Sequence, residues 1–383
     1  MPKIKYFKGL NNVGDPLRMG LGWLAQADNV NVTDTGALVK RDGYSQLQTG
    51  SFTGAYTTQD FQRMYLVDNG VLRTFEGAVL RAGLSRTLMY WAEINDHVYF
   101  NNGVDRGVIL PDNTVLDWAW EMPAAPEVAP TTGSLPAGMY QIRCSFILAD
   151  GRETGTGDVA EITVTGAQGI SITDIPHTPG ALTRVYIAPA NSDVYQVAAT
   201  TTASALVWNF SNDVLGADLR TPFVDPIPQG TDVIQFFKGR AYAAQYSPEH
   251  DQTVVWFSES LAYHLFNLNT DFFIVPGQVV MLAPTDDVLV VGTTTRVLAY
   301  TDNKLEWLAP YGVIPGQHWA RDDGRILFWT ARGVCSAMPF LNLTEKSVSV
   351  APGIKAGGTI VRQGGQKRYL VALQQGGSAF NRY

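Results

Sequence analysis

The eight residues Tyr65-Leu66-Val67-Asp68-Asn69-Gly70-Val71-Leu72 carry the pattern that decides the fold. Three apolar residues lead into a polar Asp-Asn-Gly turn, and a second apolar segment follows that opens with valine. An Asn-Gly pair between two apolar runs favours a tight hairpin, because both residues tolerate the positive φ angles that such a turn requires. The stretch therefore predicts two antiparallel strands joined by a two-residue loop.

The same pattern recurs along the chain. It returns as Val98-Tyr99-Phe100-Asn101-Asn102-Gly103-Val104, within residues 288–300, within 326–335, and in part at 369–372. A spacing of roughly 35 to 45 residues is typical of four-stranded propeller blades. We interpret each copy as the inner hairpin of one blade in a β-propeller of about six blades. A meandering β-sandwich is the alternative that this spacing leaves open.

Composition favours an all-β protein with a large core. The chain has 383 residues, of which 45% are hydrophobic and 16% charged, which suggests two or three folded units. Helical spacing of apolar residues is nearly absent, apart from a short turn around 259–266. No apolar run reaches the length of a membrane span, and the first residues lack the apolar core of a secretory signal. We expect a soluble chain that is made in the cytoplasm.

A central segment differs from the rest of the chain in its pattern of apolar and polar residues. Prolines at 123–126 and 226–228 bracket a run of short alternating strands, with turns every eight to twelve residues or so. That pattern predicts an inserted immunoglobulin-like or fibronectin type III-like β-sandwich. The predicted organisation is a propeller part over 1–122, the inserted sandwich over 123–229, and the rest of the propeller over 230–383.

The residues point to no catalytic, cofactor-binding or metal-binding site. The five histidines are scattered without paired spacing, and the two cysteines, Cys144 and Cys335, fit reduced buried thiols better than a disulfide. Glu249-His250-Asp251 reads as a solvated turn. A propeller hydrolase or lyase would need several acidic residues to converge on one pocket. These are Asp286, Asp287, Asp322, Asp323 and Glu249.

A resemblance extends these observations. The quoted motifs are Gly9-Leu10-Asn11-Asn12-Val13-Gly14-Asp15-Pro16-Leu17, Ala27-Asp28-Asn29-Val30-Asn31-Val32, Lys40-Arg41-Asp42-Gly43-Tyr44, Asp150-Gly151-Arg152-Glu153-Thr154 and Thr183-Arg184-Val185-Tyr186-Ile187. Together they resemble the tail stabilisation or nozzle proteins of short-tailed bacteriophages. The resemblance implies a structural virion protein of the tail, with no enzymatic activity and no cofactor.

The resemblance also implies partners. It implies a homohexameric ring at the distal end of the tail, attached to adaptor, tail-tube and portal-side proteins. Tail fibres or a tail needle, and the host envelope, would be its other neighbours. DNA would pass through the channel during ejection without sequence-specific binding. A net charge of −7 fits such a channel, because a basic wall would hold the phosphates in place.

Subunit or partner contacts are expected at the N-terminal segment 9–44 and at two apolar regions further along. The candidate contact residues are Asp15, Pro16, Leu17, Trp23, Tyr263, Phe266 and Tyr311. Core packing is the alternative for the aromatic members. A second functional hypothesis is a propeller that binds host glycans as a receptor-binding tail protein, through aromatic loops such as the one at Tyr311.

Overall fold

The named elements in the described part of the computed structural model are all β-strands. The model describes residues 4–43, 45–210, 214–220, 223–363 and 366–376, so Tyr44 of the predicted contact segment lies outside the described residues. No α-helix forms within these ranges, which confirms the all-β prediction. Nor does this part of the chain contain a helix suited to crossing a membrane. The stretch at 259–266 contains no helix: residues 260–261 form a turn between two strands, and the other residues are extended.

An N-terminal arm, residues 4–43, precedes the larger sheets. It contains β1 (Gly9–Leu10), β2 (Trp23–Leu24), β3 (Val30–Val32) and β4 (Leu38–Lys40). The first two strands pair in parallel, and the last two form a hairpin. Asn12 fastens the arm to a distant loop, because its side-chain amide exchanges two hydrogen bonds with the backbone of Ser349 (2.9 and 2.7 Å).

Two four-stranded antiparallel meanders follow. Sheet 1 contains β5 (Phe52–Thr57), β6 (Met64–Asp68), β7 (Val71–Thr74) and β8 (Val79–Arg81). Sheet 2 contains β9 (Tyr90–Ile94), β10 (His97–Asn101), β11 (Arg106–Ile109) and β12 (Val115–Leu116). Aromatic and aliphatic side chains of both sheets share one core cluster, which includes Tyr65 and Phe100.

Residues 127–208 form a unit of two sheets around a core of their own. Its strands are β13 (Glu127–Leu135), β14 (Gly138–Ile147), β15 (Ala160–Val164), β16 (Gln168–Thr173), β17 (Leu182–Ala188), β18 (Gln196–Thr201) and β19 (Leu206–Trp208). One sheet has the order β13-β16-β19 and the other β15-β14-β17-β18. Their facing side chains form one cluster that holds Tyr140, Cys144 and Trp208.

Three further sheets complete the series. Sheet 3 contains β20 (Ile234–Phe237), β21 (Arg240–Ser247), β22 (Gln252–Glu259), β23 (Ala262–Phe266) and β24 (Phe272–Pro276). Its fourth position is shared, because β23 and β24 both pair with β22. Sheet 4 contains β25 (Val279–Pro284), β26 (Leu289–Thr293), β27 (Val297–Thr301) and β28 (Lys304–Ala309). Sheet 5 contains β29 (Ala320–Asp322), β30 (Arg325–Thr330), β31 (Gly333–Ala337) and β32 (Leu341–Asn342).

The last element is a long C-terminal hairpin of β33 (Lys355–Gln363) and β34 (Gln366–Gln374), which forms a sheet of only two strands. Its register is regular from Lys355 opposite Gln374 to Gln363 opposite Gln366. Residues 369–372, predicted to open a last copy of the hairpin pattern, lie in its second strand.

In sheets 1, 2, 4 and 5 the repeated hairpin is the middle pair of strands, not the inner pair as expected. Residues 65–72 are β6 and β7, which lie between β5 and β8. Asn69 and Gly70 both have positive φ (50° and 78°), as the predicted tight turn requires. A Cβ at Gly70 would lie 2.3 Å from the carbonyl oxygen of Leu84, so glycine is also needed sterically.

The second copy of the pattern corrects a detail. Gly103 and Val104 do not begin a strand, which starts only at Arg106. Instead the side-chain oxygen of Asn102 accepts the backbone N–H of Val104 (3.0 Å) and of Asp105 (2.7 Å) and holds the residues between as a loop. Both cysteines are free and buried, as expected.

Candidate functional site

A cavity lies where the first strands of the sheets converge. Strand β20 neighbours β9 on one side and β25 on the other, and β29 neighbours β33. The cavity has a volume of about 720 Å³, within the range typical of ligand pockets. Its lining combines aromatic, hydroxyl, amide and charged side chains from sheets 1 to 5 and from the C-terminal hairpin. Among them are Thr57, Gln59, Phe61, Glu93, Gln235, Trp319, Arg321 and Thr359.

Glu93 is the carboxylate of the cavity wall. Its Oε2 accepts the Tyr56 hydroxyl at 3.0 Å and the backbone N–H of Gln59 at 2.9 Å. Burial and the nearby Glu93 charge raise the pKa of Tyr56 well above its ordinary value, so the phenol stays protonated and donates. The Tyr56 ring also stacks on Trp91, with ring centroids 5.8 Å apart. These contacts hold the carboxylate in one orientation.

Phe61 stands at the mouth of the cavity. Its side chain is 81% exposed, and its φ is +60°, a conformation that bulky residues rarely adopt. The turn is held by Asp60, whose Oδ1 accepts the Thr58 hydroxyl (2.5 Å) and the Gln62 N–H (3.0 Å). Sequence reasoning missed this residue; its one signal is an aromatic side chain inside a polar turn.

A short segment before β29, residues 314–318, connects the inner strands. The Gln317 side-chain amide accepts the Trp91 N–H and donates to the Trp91 carbonyl, both at 3.2 Å. It thereby completes the free edge of β9 as a neighbouring strand would. The backbone N–H of Gly358 in β33 donates to the Gln317 carbonyl (3.2 Å), so the same residue contacts the C-terminal hairpin.

His318 anchors that segment to sheet 5. It is fully buried, and its Nδ1 accepts the Trp329 N–H at 3.0 Å. Its Nε2 therefore carries the proton and donates to the Ile314 carbonyl at 2.7 Å. Burial lowers the pKa of His318 to about 4, so the ring is neutral at pH 7.

The acidic residues considered for catalysis are largely engaged with cations. Asp286 pairs with Arg321 at 2.5 Å, and Lys367 contacts Asp322 (2.9 Å) and Asp323 (2.8 Å). Glu249 lies in the turn between β21 and β22, as predicted. Among the described residues, no cluster of histidine, cysteine and acidic side chains could hold a metal ion.

A second polar cluster joins the two-sheet unit to the rest. The Glu153 carboxylate accepts the Ser145 hydroxyl (2.6 Å), Arg184 Nη1 (2.7 Å) and the Tyr186 hydroxyl (2.5 Å). Its backbone carbonyl accepts Nε2–H of His264 in β23 at 2.9 Å. Next to it, Arg152 donates to the Asp117 carbonyl (3.0 Å) at the end of sheet 2. The motif Asp150-Gly151-Arg152-Glu153-Thr154 thus connects the two-sheet unit to sheets 2 and 3.

The predicted contact residues fall into two groups. Asp15, Pro16 and Leu17 have exposed side chains, with Leu17 at 95%, and Trp23 is half-buried. Phe266 is fully buried, so its side chain belongs to the core in a single chain.

The other two aromatics are partly buried. Tyr263 packs on the aromatic core of sheets 2 and 3. The Tyr311 hydroxyl accepts the Asn342 side-chain amide (3.1 Å), and Arg332 lies over its ring. These contacts agree with the core alternative weighed for the aromatic residues. Subunit contact at the seven positions stays a prediction.

Comparisons with known proteins add little. No protein-family model matches the chain, and no curated protein matches it either. Among solved structures, PorZ, a surface component of the type-IX secretion system of Porphyromonas gingivalis, matches 91% of this chain at 13% identity with a TM-score of 0.23. AztD from Citrobacter koseri matches 82% of it at 10% identity with a TM-score of 0.29.

The extracellular domain of a two-component system from B. thetaiotaomicron matches 83% of the chain at 10% identity, with a TM-score of 0.31. The chain spans 56% of the length of PorZ, 36% of that extracellular domain and 89% of AztD. Scores this low establish no shared topology, so the architecture rests on the strand pairing described above.

Proposed function

We propose that the chain is a structural subunit of the tail nozzle of a short-tailed bacteriophage and carries out no reaction. Its architecture in this proposal is a six-bladed propeller, in which sheets 1 to 5 and the C-terminal hairpin are the blades. Residues 127–208 are an inserted sandwich of the immunoglobulin or fibronectin type III kind. Six first strands around one cavity, and a two-sheet unit with its own core, support this architecture.

The observation that carries the proposal is the exposed apolar surface of the N-terminal arm, residues 4–43. Five large apolar side chains there are at least half exposed, a concentration expected of an interface and not of a free surface. They are Ile4, Tyr6, Val13, Leu17 and Leu21. In the proposal they contact neighbouring subunits of a homohexamer and the adaptor above it.

The test is the mass of the purified chain in solution, measured by light scattering. It is measured alone and mixed with the portal and adaptor proteins of the same virion. A closed ring of about six copies that binds the adaptor, whether the ring forms alone or only on the adaptor, would support the nozzle. A monomer or a ring that ignores both partners would overturn it.

A second candidate function is glycan binding, and the central cavity favours it. An exposed aromatic ring beside carboxylate, hydroxyl and amide groups suits a sugar, which offers an apolar face and a rim of hydroxyls. A glycan array screened with the wild type and Phe61→Ser tests this. Leu261→Ser is the matched control, because Leu261 also has a positive φ (61°) and is 75% exposed, but does not line the cavity. Binding lost only in Phe61→Ser would favour the glycan function.

A further inference from the structure

The C-terminal hairpin is half as wide as the sheets it accompanies. Each of sheets 1 to 5 has four strand positions, whereas β33 and β34 form a sheet of two. Strand β33 lies on the inner side, next to β29, so β34 ends the sheet on its outer side. No strand within the described residues fills the two outer positions of this sheet.

The hydrogen-bonding register identifies the free backbone groups of β34. The N–H groups of Ala356 and Gly358 point away from β34, toward Pro315 and Gln317. Because backbone groups alternate in direction along a strand, the odd-numbered residues of β33 face β34 and bond to its even-numbered residues. The amides and carbonyls of the odd-numbered residues of β34 consequently face outward. These residues are Lys367, Tyr369, Val371 and Leu373.

This edge lacks the usual protection against strand addition. Natural edges are blunted by prolines, bulges or short strands. Strand β34 is nine residues long, has no proline and no register shift, and contains the apolar run 369–373. Its Lys367 is engaged with Asp322 and Asp323 on a neighbouring sheet. A strand of this kind is a ready acceptor for another strand.

The N-terminal arm contains a matching donor. The β3–β4 hairpin supplies two strands, which is the number the last sheet lacks, and within the described residues it pairs only with itself. All three residues of β4 are exposed. Arg41 N–H and Thr33 N–H bond across the hairpin, to Asn29 and Ala37, so the amides of Leu38 and Lys40 point outward.

The hairpin of the same chain is held at two points. Asn12 ties the arm to Ser349, and the side-chain amide of Gln48 donates to the Phe75 carbonyl (2.8 Å) in sheet 1. Between these anchors the hairpin lies unpaired with β34. The hairpin of another copy is not restrained in this way with respect to β34.

We propose that β4 of one copy pairs with the outer edge of β34 of a second copy, so that two chains complete each four-stranded sheet. The contact is heterologous, and in the proposed hexamer six such contacts close a ring. This inference rests on the proposed function, for which it supplies the contact between subunits.

The experiment uses proline substitutions in the full chain. Val371→Pro removes an outward amide of β34, and Lys40→Pro removes one of β4, and neither breaks a bond within its own hairpin. Each variant alone is expected to be monomeric by light scattering, whereas Val371→Thr and Lys40→Thr keep their amides and assemble like the wild type. Circular dichroism and thermal unfolding verify that every variant is folded.

Mixing the two proline variants is the decisive step. Val371→Pro still offers its β4, and Lys40→Pro still offers its β34, so the mixture is expected to form dimers and nothing larger. Dimers in the mixture support exchange between copies. Assembly of either proline variant alone, or a folded mixture that stays monomeric, overturns it. A ring that forms by this pairing and ignores the adaptor would sink the nozzle proposal and leave the strand exchange intact.

Discussion

Single residues at the base of the cavity connect parts of the chain that are far apart in sequence. Gln317 and His318 are adjacent, yet their side chains bond to sheet 2 and to sheet 5 respectively. Tyr369 of β34 donates its hydroxyl to the His318 carbonyl. Such buried polar groups are costly when one partner is lost, because the other remains desolvated without a hydrogen bond.

His318 is expected to make stability depend on pH. Its pKa is about 4 in the folded chain and near 6.5 in the unfolded chain, so between these values the unfolded chain binds more protons. The contribution of His318 to the free energy of unfolding is about 3 kcal/mol. It is fully present above pH 6.5 and is lost as the pH falls toward 4. Burial raises the pKa of Asp232 to about 6. Protonation of Asp232 therefore stabilises the folded chain as the pH falls through part of this window, which opposes the effect of His318.

The difference between wild type and His318→Asn isolates the histidine. Asparagine offers a side-chain oxygen where Nδ1 accepts the Trp329 N–H, and it does not titrate. We measure the free energy of unfolding of both proteins in urea at several pH values between 4 and 7. The difference between wild type and variant should become smaller as the pH falls. A difference that stays constant across this range would contradict the assignment of a buried neutral ring.

Gln317→Ala is expected to lower the free energy of unfolding by about 2–4 kcal/mol, because it leaves the Trp91 N–H and carbonyl without a partner on that edge. Urea unfolding at pH 7 measures the change. Gln62→Ala is the control, because Gln62 is an exposed amide beside the cavity mouth and its loss should cost less than about 0.5 kcal/mol. Equal stabilities of the two variants would refute the bridging role.

At the scale of elements, the sequence predicted hairpins better than loops. The turn at Asn69-Gly70 and the loop at Asn102-Gly103 share the letters Asn-Gly-Val, and only the first is a tight turn. In the second, the Asp105 carboxylate accepts the Ser85 N–H at 2.6 Å, a contact between residues twenty positions apart. No local pattern contains that information.

Sheet 3 was missed for a related reason. Its first hairpin turns at Lys238 and Gly239. Both residues have positive φ, as in an Asn-Gly turn, but lysine stands in place of asparagine. The short alternating strands predicted between the two proline pairs are present, for example at 138–147, 160–164 and 182–188, because alternation of apolar and polar residues is a local signal. The cavity could not be predicted, since its lining comes from six strands that share no motif.

Gly157→Ala tests the junction between the two-sheet unit and its linkers. A Cβ at Gly157 would lie 1.7 Å from the Pro123 carbonyl oxygen, so the loop or the linker must move. We expect a loss of about 3 kcal/mol, measured by urea unfolding. Gly20→Ala is the control, since a Cβ there meets no atom within 4 Å. Unchanged stability in Gly157→Ala would show that this contact does not fix the linker.

At the scale of the whole molecule, the two-sheet unit has a core separate from the others. Gly155 and Gly157 contact the Val224 and Pro123 carbonyls, so the linkers that enter and leave the unit lie close together. After Val224 the chain already belongs to sheet 3, because Asp225 pairs with Phe266 and Ile227 joins the neighbouring core.

A chain with a short glycine-serine linker between Ala124 and Val224 is therefore expected to fold without the two-sheet unit. Its thermal unfolding should be a single cooperative transition, with the β-sheet signal of the remaining sheets in circular dichroism. The isolated segment 124–224 is the complementary sample and should also fold. Collapse of the shortened chain into an unfolded state would show that the unit is needed for the rest.

The bond between Gln317 and Trp91 has a consequence for the making of the protein. The two residues are 226 positions apart, so sheet 2 cannot gain this closing partner until most of the chain has been synthesised. At about 5–20 residues per second, the ribosome needs roughly 10 to 45 seconds to cover that distance. During that interval the backbone groups on the inner edge of β9 have no bond to Gln317. The nascent chain would then depend most on a chaperone that covers this edge.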